Sequence, residues 1–413
     1  MKGKLRCLAA ATKTIKMKNH RVKRLFFIAL FVILALLCLS FFVVLKDIIC
    51  LGGGKAFISR QEEVPVWIKT KVSKELKAFE EIDTKSFAAI DELILENKIK
   101  YLAHFKIIDN KVGSIVGKAS GRHEKLKNAI ERVLEVNRIG NSDFLVYLWD
   151  DVHYGRKKSF LLKELEGQGI DISALPPIFA FAADKMAEDR SRFVLFPDPL
   201  SLDRSIFSKL GGWSCLSAKI ADANRKAPWS GKKNIAFWRG GEPFSNRKYN
   251  ERYLAVELSR KYPKLLDVKF TYVLKDKKGF WERKLKYLYQ FLNIGSWVSF
   301  DRYLEHKMIL DLDGNTVSYP GMYWKLYGNS VVLKQVTDNE IWASDLFVPW
   351  LHFVPVKEDL GDLTQKIEWV KDHDGHAEQI AKTSNDFISK NLMPKHFETY
   401  IYQLLTEYSR LIK

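Results

Sequence analysis

Two successive series of short apolar runs, with helical stretches between them, limit what this chain can fold into. The first series comprises residues 144–149, 177–181 and 193–196, and the second comprises residues 235–238, 268–273, 308–312, 331–334 and 352–356. Short apolar runs that alternate with helices predict buried strands in parallel α/β sheets. We therefore expect two Rossmann-like domains with a cleft between them, and a ligand at the carboxyl ends of the strands.

Helical periodicity accounts for most of the sequence between and after these runs. It covers residues 72–100, 121–138, 250–261, 280–292, 319–326 and 360–411. The predicted organisation is a basic tail, a membrane helix, a linker, an N-terminal Rossmann-like domain and a C-terminal Rossmann-like domain that ends in helices. Their expected bounds are residues 1–24, 25–45, 46–63, 64–205 and 206–413.

The membrane helix is predicted from an apolar run behind a basic tail. Residues 25–45 include one polar residue, Ser40, and are long enough to cross a bilayer as a helix. The tail has no acidic residue and nine basic ones, which are Lys2, Lys4, Arg6, Lys13, Lys16, Lys18, Arg21, Lys23 and Arg24. The positive-inside rule puts such a tail in the cytoplasm. We expect an uncleaved single-pass anchor, because the run is too long for an ordinary signal peptide.

The net charge of +18 does not by itself indicate nucleic-acid binding. The basic tail supplies half of this charge, and the rest suits an anionic ligand or membrane surface. No nucleic-acid-binding motif is present, so we expect no nucleic-acid partner.

The four cysteines, Cys7, Cys38, Cys50 and Cys215, form no disulfide framework. That favours a reducing compartment, whereas the anchor orientation puts the large domain across the membrane, and the sequence leaves this conflict open.

Residues 233–241 form a candidate phosphate site. An apolar run ends in Arg239, Gly240 and Gly241, and a helical pattern begins near Asn250. Glycines let the backbone approach a ligand closely, a helix N-terminus offers N–H groups, and arginine supplies a planar fork of donors. A strand-to-helix turn with a solvated arginine is the alternative interpretation of the same residues.

Asp150 and Asp151 directly follow the most apolar of the predicted strands. A carboxylate at the carboxyl end of a strand, facing a cleft, is a reasonable general base. A helix cap or a turn is the alternative role for either aspartate.

Two further clusters suggest metal ligands, and neither is favoured as a metal site. Asp311 and Asp313 have the spacing of a metal-binding aspartate pair, but Asp313 and Gly314 also suit an ordinary turn, which we favour. Residues 373–376 contain two histidines, but the glycine and polar context predict a loop between helices. We therefore expect no bound metal.

Four stretches, in order and with similar spacing, resemble glycosyltransferase family 90. The first stretch is Phe237-Trp238-Arg239-Gly240-Gly241, where the family has a strand followed by Phe-Arg-Gly-Ser. The others are Arg252 with residues 259–263, residues 307–314 with Ser318, and residues 349–360. The family includes fungal capsule-associated proteins, animal protein O-glucosyltransferases and bacterial lipopolysaccharide A proteins.

The resemblance implies an inverting GT-B-type enzyme that uses a UDP-sugar, commonly without a metal. The family's catalytic aspartate follows a strand in an Arg-Asp-Tyr-Pro setting, and Asp150 takes that position here. The first domain then becomes the acceptor side and the second the nucleotide-sugar domain. The residues that the resemblance assigns to nucleotide-sugar binding are Arg239, Gly240, Gly241, Arg252, Gly314 and Ser318.

The sequence departs from the family pattern in two places. Trp149 stands where the family has arginine before the aspartate, and Asp151 and Val152 replace Tyr-Pro. Where relatives have Ser-Phe-Arg for the diphosphate, this chain has Ser318-Tyr319-Pro320. One phosphate-binding arginine is therefore missing. Arg247, Arg252 or Lys325 substitutes for it, or the donor is bound differently.

The expected function is a membrane-anchored transfer of a hexose or pentose from a UDP-sugar to a hydroxyl of a glycan or lipid-linked saccharide. Lipopolysaccharide or a surface polysaccharide is the expected acceptor, and no cofactor beyond the UDP-sugar co-substrate is expected. Two alternatives stay open. One is a protein O-glycosyltransferase of the secretory pathway, and the other is a non-catalytic glycan-binding protein on the same fold, which the missing arginine supports.

Overall fold

A computed structural model describes residues 63–117, 121–154, 156–204, 212–242, 251–272, 295 and 298–413. The described strands are β1 Leu102–Ile108, β2 Lys111–Val116, β3 Ser142–Tyr147, β4 Ile178–Ala180, β5 Ala183–Asp184, β6 Phe193–Leu195, β7 Lys233–Gly241, β8 Leu266–Tyr272, β9 His306–Asp311, β10 Val331–Gln335, β11 Asn339–Glu340 and β12 Val354–Val356. The described α-helices are α1 Val66–Leu76, α2 Phe87–Leu95, α3 Arg122–Val136, α4 Phe160–Gly167, α5 Pro199–Leu202, α6 Gly212–Lys226, α7 Glu251–Lys261, α8 Phe300–Leu304, α9 Gly321–Tyr327, α10 Leu363–Asp372, α11 Asp374–Asn391 and α12 Pro394–Leu411.

The strands form two five-stranded sheets, so the predicted mixed α/β fold with parallel sheets is confirmed. The first sheet has the order β2-β1-β3-β4-β6, and the second has the order β12-β10-β9-β7-β8. All strand pairs of the second sheet are parallel. Every predicted apolar run contributes a strand to one of the two sheets. The predicted helix over residues 280–292 lies outside the described residues.

The first sheet also contains an antiparallel hairpin that the sequence analysis missed. Strand β1 pairs antiparallel with both β2 and β3. The hairpin turn is Asp109-Asn110, and both residues have positive φ, at 51° and 62°. Positive φ at both central residues defines the turn whose twist suits a two-residue hairpin, and Asp and Asn tolerate it. The hairpin could therefore have been predicted from the Asp109-Asn110 dipeptide, which lies between the two partly apolar runs that form β1 and β2.

The helix predicted over residues 72–100 is wrong as one continuous element. The structure has α1 and α2 there, with an irregular segment between them. Ile82 in that segment donates its backbone N–H to the carbonyl of Leu411 at 2.8 Å and pairs with Ile412. This pairing with the distant C-terminus overrides the local helical periodicity, because it buries Ile82 completely in the core.

The last helix, α12, packs against the first sheet although it follows the second sheet in sequence. It contacts α1, α3 and β3. Tyr408 is fully buried, with its ring centroid 5.2 Å from Phe179 and 6.2 Å from Phe144, and its hydroxyl donates to the carbonyl of Asp143. The short pair β5–β11 provides a second connection between the two halves of the chain.

The predicted tail and anchor, residues 1–24 and 25–45, and nearly all of the linker 46–63 lie outside the described residues. They stay predictions. Within the part of the chain that the structure describes, no helix combines the length and apolarity needed to span a bilayer. The domain boundary predicted between residues 205 and 206 falls in a gap in the described residues and also stays a prediction.

We predict that Tyr408→Ala lowers the free energy of unfolding by about 3–5 kcal/mol, because it removes a buried aromatic ring and leaves a cavity. Tyr408→Phe keeps the ring and should cost about 1 kcal/mol, the usual net contribution of one hydrogen bond. Urea denaturation monitored by circular dichroism measures both. Equal losses for the two variants would mean that the ring does not anchor α12 on the sheet.

Candidate functional site

A cavity of ≈ 320 Å³ lies where the carboxyl ends of strands from the two sheets meet. Asp150 follows β3 of the first sheet, while Glu242 follows β7 and Gly314 follows β9 of the second. The described residues that line it are Asp150, Leu200, Glu242, Arg252, Gly314, Asn315, Thr316, Val317, Ser318 and Tyr319. Four residues predicted from the sequence therefore line one cavity, namely Asp150, Arg252, Gly314 and Ser318.

Asp150 is held at the cavity by donors from both halves of the chain. Arg122, the first residue of α3, donates from Nη2 to Asp150 Oδ1. Asn315 Nδ2 donates to Oδ2 at 3.2 Å, and the Tyr319 hydroxyl donates to the Asp150 carbonyl at 3.1 Å. The Asp150 side chain keeps 22% of its surface exposed, so a ligand in the cavity can reach it. The position suits a carboxylate that accepts a proton from a bound hydroxyl.

Asp151 has a different environment from its neighbour. It is buried, and its Oδ1 accepts backbone N–H groups of His153 at 2.7 Å and Tyr154 at 3.2 Å. Burial raises the pKa of the Asp151 carboxyl, and the two backbone donors oppose that rise. The side chain closes the turn after β3, which is the turn role that the sequence left open for one of the two aspartates.

Arg252 lies in the second sheet's wall of the cavity, and Gly314 makes room for it. The guanidinium donates to the carbonyls of Gly241 at 2.8 Å, Asp313 at 2.9 Å and Leu312 at 3.1 Å. A Cβ added at Gly314 would lie 2.7 Å from Arg252 Nη2. Gly314 therefore permits the close packing of the arginine, and these carbonyls fix a positive charge at the cavity wall.

Ser318 and Tyr319 lie at the end of the loop between β9 and α9, just before the helix begins. A Cβ added at Gly321 would overlap Ser318 Oγ, so the glycine at the start of α9 lets the serine fit. Tyr319 is half-buried and contacts Asp150 through its hydroxyl. Burial first and the charge of Asp150 second raise the pKa of Tyr319, so its hydroxyl stays protonated and acts as a donor.

The structure does not bring Arg239 and Gly240 to the cavity wall. The predicted turn at these residues is wrong, because β7 continues through Gly241 and pairs with β8. Arg239 Nη2 donates to both carboxylate oxygens of Asp267 at 2.8 Å, and the guanidinium carbon lies 4.4 Å from the Phe237 ring centroid. Gly241 contributes its carbonyl to Arg252. The role of Arg239 in phosphate binding stays a prediction, and Arg247 lies outside the described residues.

Asp311 and Asp313 are engaged by neighbouring side chains. Asp311 is fully buried between Lys325, at 2.6 Å, and Lys334, at 3.2 Å. Burial disfavours its charge, but the two ammonium groups outweigh this and lower the pKa of Asp311 to about 2. Asp313 Oδ2 accepts from Thr337 at 2.7 Å and Asn339 at 2.8 Å. Lys325 is thus a partner of Asp311 and does not line the cavity.

Residues 373–376 do not form the expected loop, because α11 begins at Asp374. Asp374 accepts hydrogen bonds from Trp229 Nε1 at 3.1 Å and from Lys307 Nζ at 2.5 Å. In the described ranges, no group of three or more His, Cys, Asp or Glu side chains has the arrangement of a metal site.

Sequence analysis missed Arg122, Glu242, Asn315 and the cavity role of Tyr319. Glu242 and Asn315 could have been found, since each directly follows a residue that was singled out at a strand end. Arg122 gave no such signal, because it starts a helix 28 positions before Asp150 and only folding brings the two together.

The sequence model described as "Glycosyl transferase family 90" matches residues 156–413, more than half of the chain. The chain belongs to glycosyltransferase family 90. The match begins after Asp150, so the family model does not itself cover the proposed base.

Curated relatives carry protein O-glucosyltransferase names. Protein O-glucosyltransferase 2 of Danio rerio is 28% identical over 237 residues, covering 57% of this chain and 43% of the relative. Protein O-glucosyltransferase 3 of Homo sapiens is 32% identical over 186 residues, covering 45% and 34%, and protein O-glucosyltransferase 1 of Rattus norvegicus is 30% identical over 210 residues, covering 49% and 48%. The chain spans about half or less of the length of these relatives.

Among solved structures, Anabaena HepE in complex with UDP is similar with a TM-score of 0.39 and 10% identity, covering 69% of this chain and 77% of that one. A sucrose-phosphate synthase from Thermosynechococcus elongatus is similar with a TM-score of 0.32 and 12% identity, covering 46% and 48%.

We predict that Lys325→Met lowers the free energy of unfolding by about 3–5 kcal/mol at pH 7, because it removes one partner from the buried Asp311 carboxylate. The folded pKa of Asp311 lies below its ordinary value of 3.8, so the ion cluster stabilises the fold above that pH and loses this effect as the pH falls toward 2. The difference between wild type and variant should therefore shrink in acid, as measured by urea denaturation at pH 7 and pH 3.

Lys226→Met is the matched control, since Lys226 pairs with Asp222 on the exposed surface and should contribute little. If both lysine variants unfold like wild type at pH 7, Asp311 does not depend on Lys325.

Proposed function

We propose that this chain transfers a sugar from a UDP-sugar to a hydroxyl acceptor in the cavity between its two sheets. The observation that supports this most is that one cavity is lined both by a carboxylate, Asp150, and by a fixed guanidinium, Arg252. Such a pair suits proton removal at one end of a displacement and charge neutralisation at the other. Membership of glycosyltransferase family 90 supports the same reaction class.

In the proposed reaction the acceptor oxygen attacks the anomeric carbon of the donor. The acceptor's proton passes to Asp150, and the bond from the anomeric carbon to the diphosphate oxygen breaks with its electron pair on UDP. Arg252, whose guanidinium is fixed by three carbonyls, stabilises the negative charge that grows on the leaving diphosphate. A single displacement of this kind inverts the anomeric configuration. No step requires a metal ion.

A protein hydroxyl is the first candidate acceptor, because the curated relatives are named protein O-glucosyltransferases. A glycan or lipid-linked saccharide such as lipopolysaccharide is the second, supported by the absence of a disulfide framework from the sequence. UDP release measured with individual UDP-sugars and each acceptor class separates the two. No release of UDP from any UDP-sugar, with or without an acceptor, would favour the non-catalytic alternative. Membrane attachment through residues 25–45 remains part of the proposal.

We predict that Asp150→Asn lowers turnover by about 10²–10⁴-fold, the usual contribution of general base catalysis, while UDP affinity stays near that of wild type. The amide keeps the shape of the carboxylate and removes its basicity. Asp151→Asn is the control, because Asp151 closes a backbone turn and should affect turnover much less. A fully active Asp150→Asn variant alongside an inactive Asp151→Asn variant would reverse the two roles.

We predict that Arg252→Ala weakens UDP binding by about tenfold to a hundredfold, the value of one charge-assisted contact of about 1.5–3 kcal/mol. Arg239→Ala is compared with it by isothermal titration calorimetry, with and without EDTA. Arg239 is paired with Asp267, so its variant should mainly lose thermal stability. If Arg239→Ala alone weakens UDP binding, Arg239 holds the diphosphate, as the resemblance implies. Binding that EDTA abolishes would contradict the metal-free proposal.

A further inference from the structure

We propose that Arg122 is a positioning residue that aims the Asp150 carboxylate into the cavity, and that Asp150 Oδ2 is the oxygen that takes the acceptor's proton. This inference rests on the proposed function. It assigns to Arg122 a role that depends on α3 and was not visible in the sequence around Asp150.

The contacts of Arg122 fix the whole segment that follows β3. Its Nη1 donates to the Leu148 carbonyl at 3.0 Å, and its Nη2 donates to Asp150 Oδ1. Its guanidinium carbon lies 5.6 Å from the Trp149 ring centroid, within the range of a cation–π contact. One side chain therefore contacts three consecutive residues and sets the direction in which Asp150 leaves the strand.

The charge of Arg122 is secure in this position. Burial opposes the charged form, but the nearby Asp150 carboxylate outweighs it and raises the pKa of the Arg122 guanidinium. Its side chain is 19% exposed and that of Asp150 is 22% exposed, so water screens the pair only in part. The pair is therefore a charge-assisted contact, which holds the carboxylate in place more firmly than a neutral hydrogen bond would.

The loop between β9 and α9 helps to distinguish the two carboxylate oxygens of Asp150, because Asn315 and Tyr319 lie in it. Of the hydrogen bonds from described residues, Oδ1 accepts the one from the charged Arg122, while the single Tyr319 proton is shared between Oδ1 at 3.4 Å and the Asp150 carbonyl at 3.1 Å. Oδ2 accepts the one from the neutral Asn315 amide at 3.2 Å. A hydrogen bond from a charged donor is stronger than one from a neutral donor, so Oδ2 keeps more capacity to accept a proton. Since Asn315 and Tyr319 also line the cavity, the carboxylate is oriented from both sides.

An ordinary structural ion pair would have a different effect, and the same helix provides one for comparison. Arg132 on α3 donates to Glu398 of α12 at 3.1 Å and to the Leu202 carbonyl at 2.9 Å. Its side chain has the same 19% exposure as that of Arg122. Arg132 does not line the cavity, so its removal should affect stability alone.

The experiment uses the full chain with a UDP-sugar and an acceptor that the wild type uses, and compares Arg122→Met, Arg122→Lys and Arg132→Met. For Arg122→Met we expect kcat to fall about tenfold to a hundredfold, with KM for the UDP-sugar near that of wild type. The readout is the split between kcat and KM, with kcat expressed per folded enzyme, so that a loss of stability alone does not produce the expected result.

Arg122→Lys keeps the charge without the two-pronged fork, so it should recover kcat only in part. Arg132→Met should lower the melting temperature and leave kcat per folded enzyme unchanged. The Lys variant also supplies the test if the Met variant does not fold, since it should still show a reduced kcat with unchanged KM.

An active wild type with Arg122 variants that match it in kcat would overturn this inference and leave the proposed function intact. A fall in kcat of equal size in Arg132→Met would also overturn it, because the effect would then belong to α3 in general. A wild-type chain that transfers no sugar from any UDP-sugar would overturn the proposed function and the inference together.

Discussion

The return of the last helix to the first sheet is the contact on which the rest of the structure depends. α12 follows the second sheet in sequence but buries Tyr408 against Phe144 and Phe179 of the first. Tyr400 of the same helix donates to the Leu195 carbonyl at 2.9 Å. One continuous chain segment therefore connects the second sheet to the first, and α12 covers one face of β3. The cavity depends on this arrangement, because its two walls come from different sheets.

Fixed charges around the cavity are supported by polar contacts on both sides. On the second sheet, Arg252 is held by three carbonyls and Gly314 gives it room, while Lys325 is committed to Asp311. On the first sheet, Arg122 is committed to Asp150. The cost of placing charged groups out of water is offset where each has a partner, which leaves a preorganised surface for a charged ligand. Trp149 stands where the family pattern has arginine, and Arg122 lies over its ring.

The sequence predicted the second sheet better than the first. Its strands are short apolar runs in a parallel order, and periodicity detects such runs directly. In the first sheet, β1 and β2 were missed because their pairing depends on the Asp109-Asn110 turn, and the break between α1 and α2 was missed because Ile82 pairs with the C-terminus. At the site, the structure places Asp150, Arg252, Gly314 and Ser318 at one cavity, and their functional roles stay predictions. The sequence suggested a glycine turn at Arg239. It could not show that β7 continues to Gly241 or that Arg239 pairs with Asp267, because both features depend on contacts with distant residues.

The sequence by itself determined the alternation of strands and helices, the family, and which residues follow the strand ends. These properties are local, since they depend on periodicity and on motifs a few residues long. Only the tertiary structure decided which of those residues share a cavity, which arginine is paired with a carboxylate, and which aspartate closes a turn. Asp150 and Asp151 are neighbours with similar sequence signals. Asp150 nevertheless accepts hydrogen bonds from Arg122 and Asn315 at the cavity, whereas Asp151 is buried and accepts two backbone N–H groups. Partners far apart in sequence set the burial and charge around each group, and those surroundings decide what the group can do.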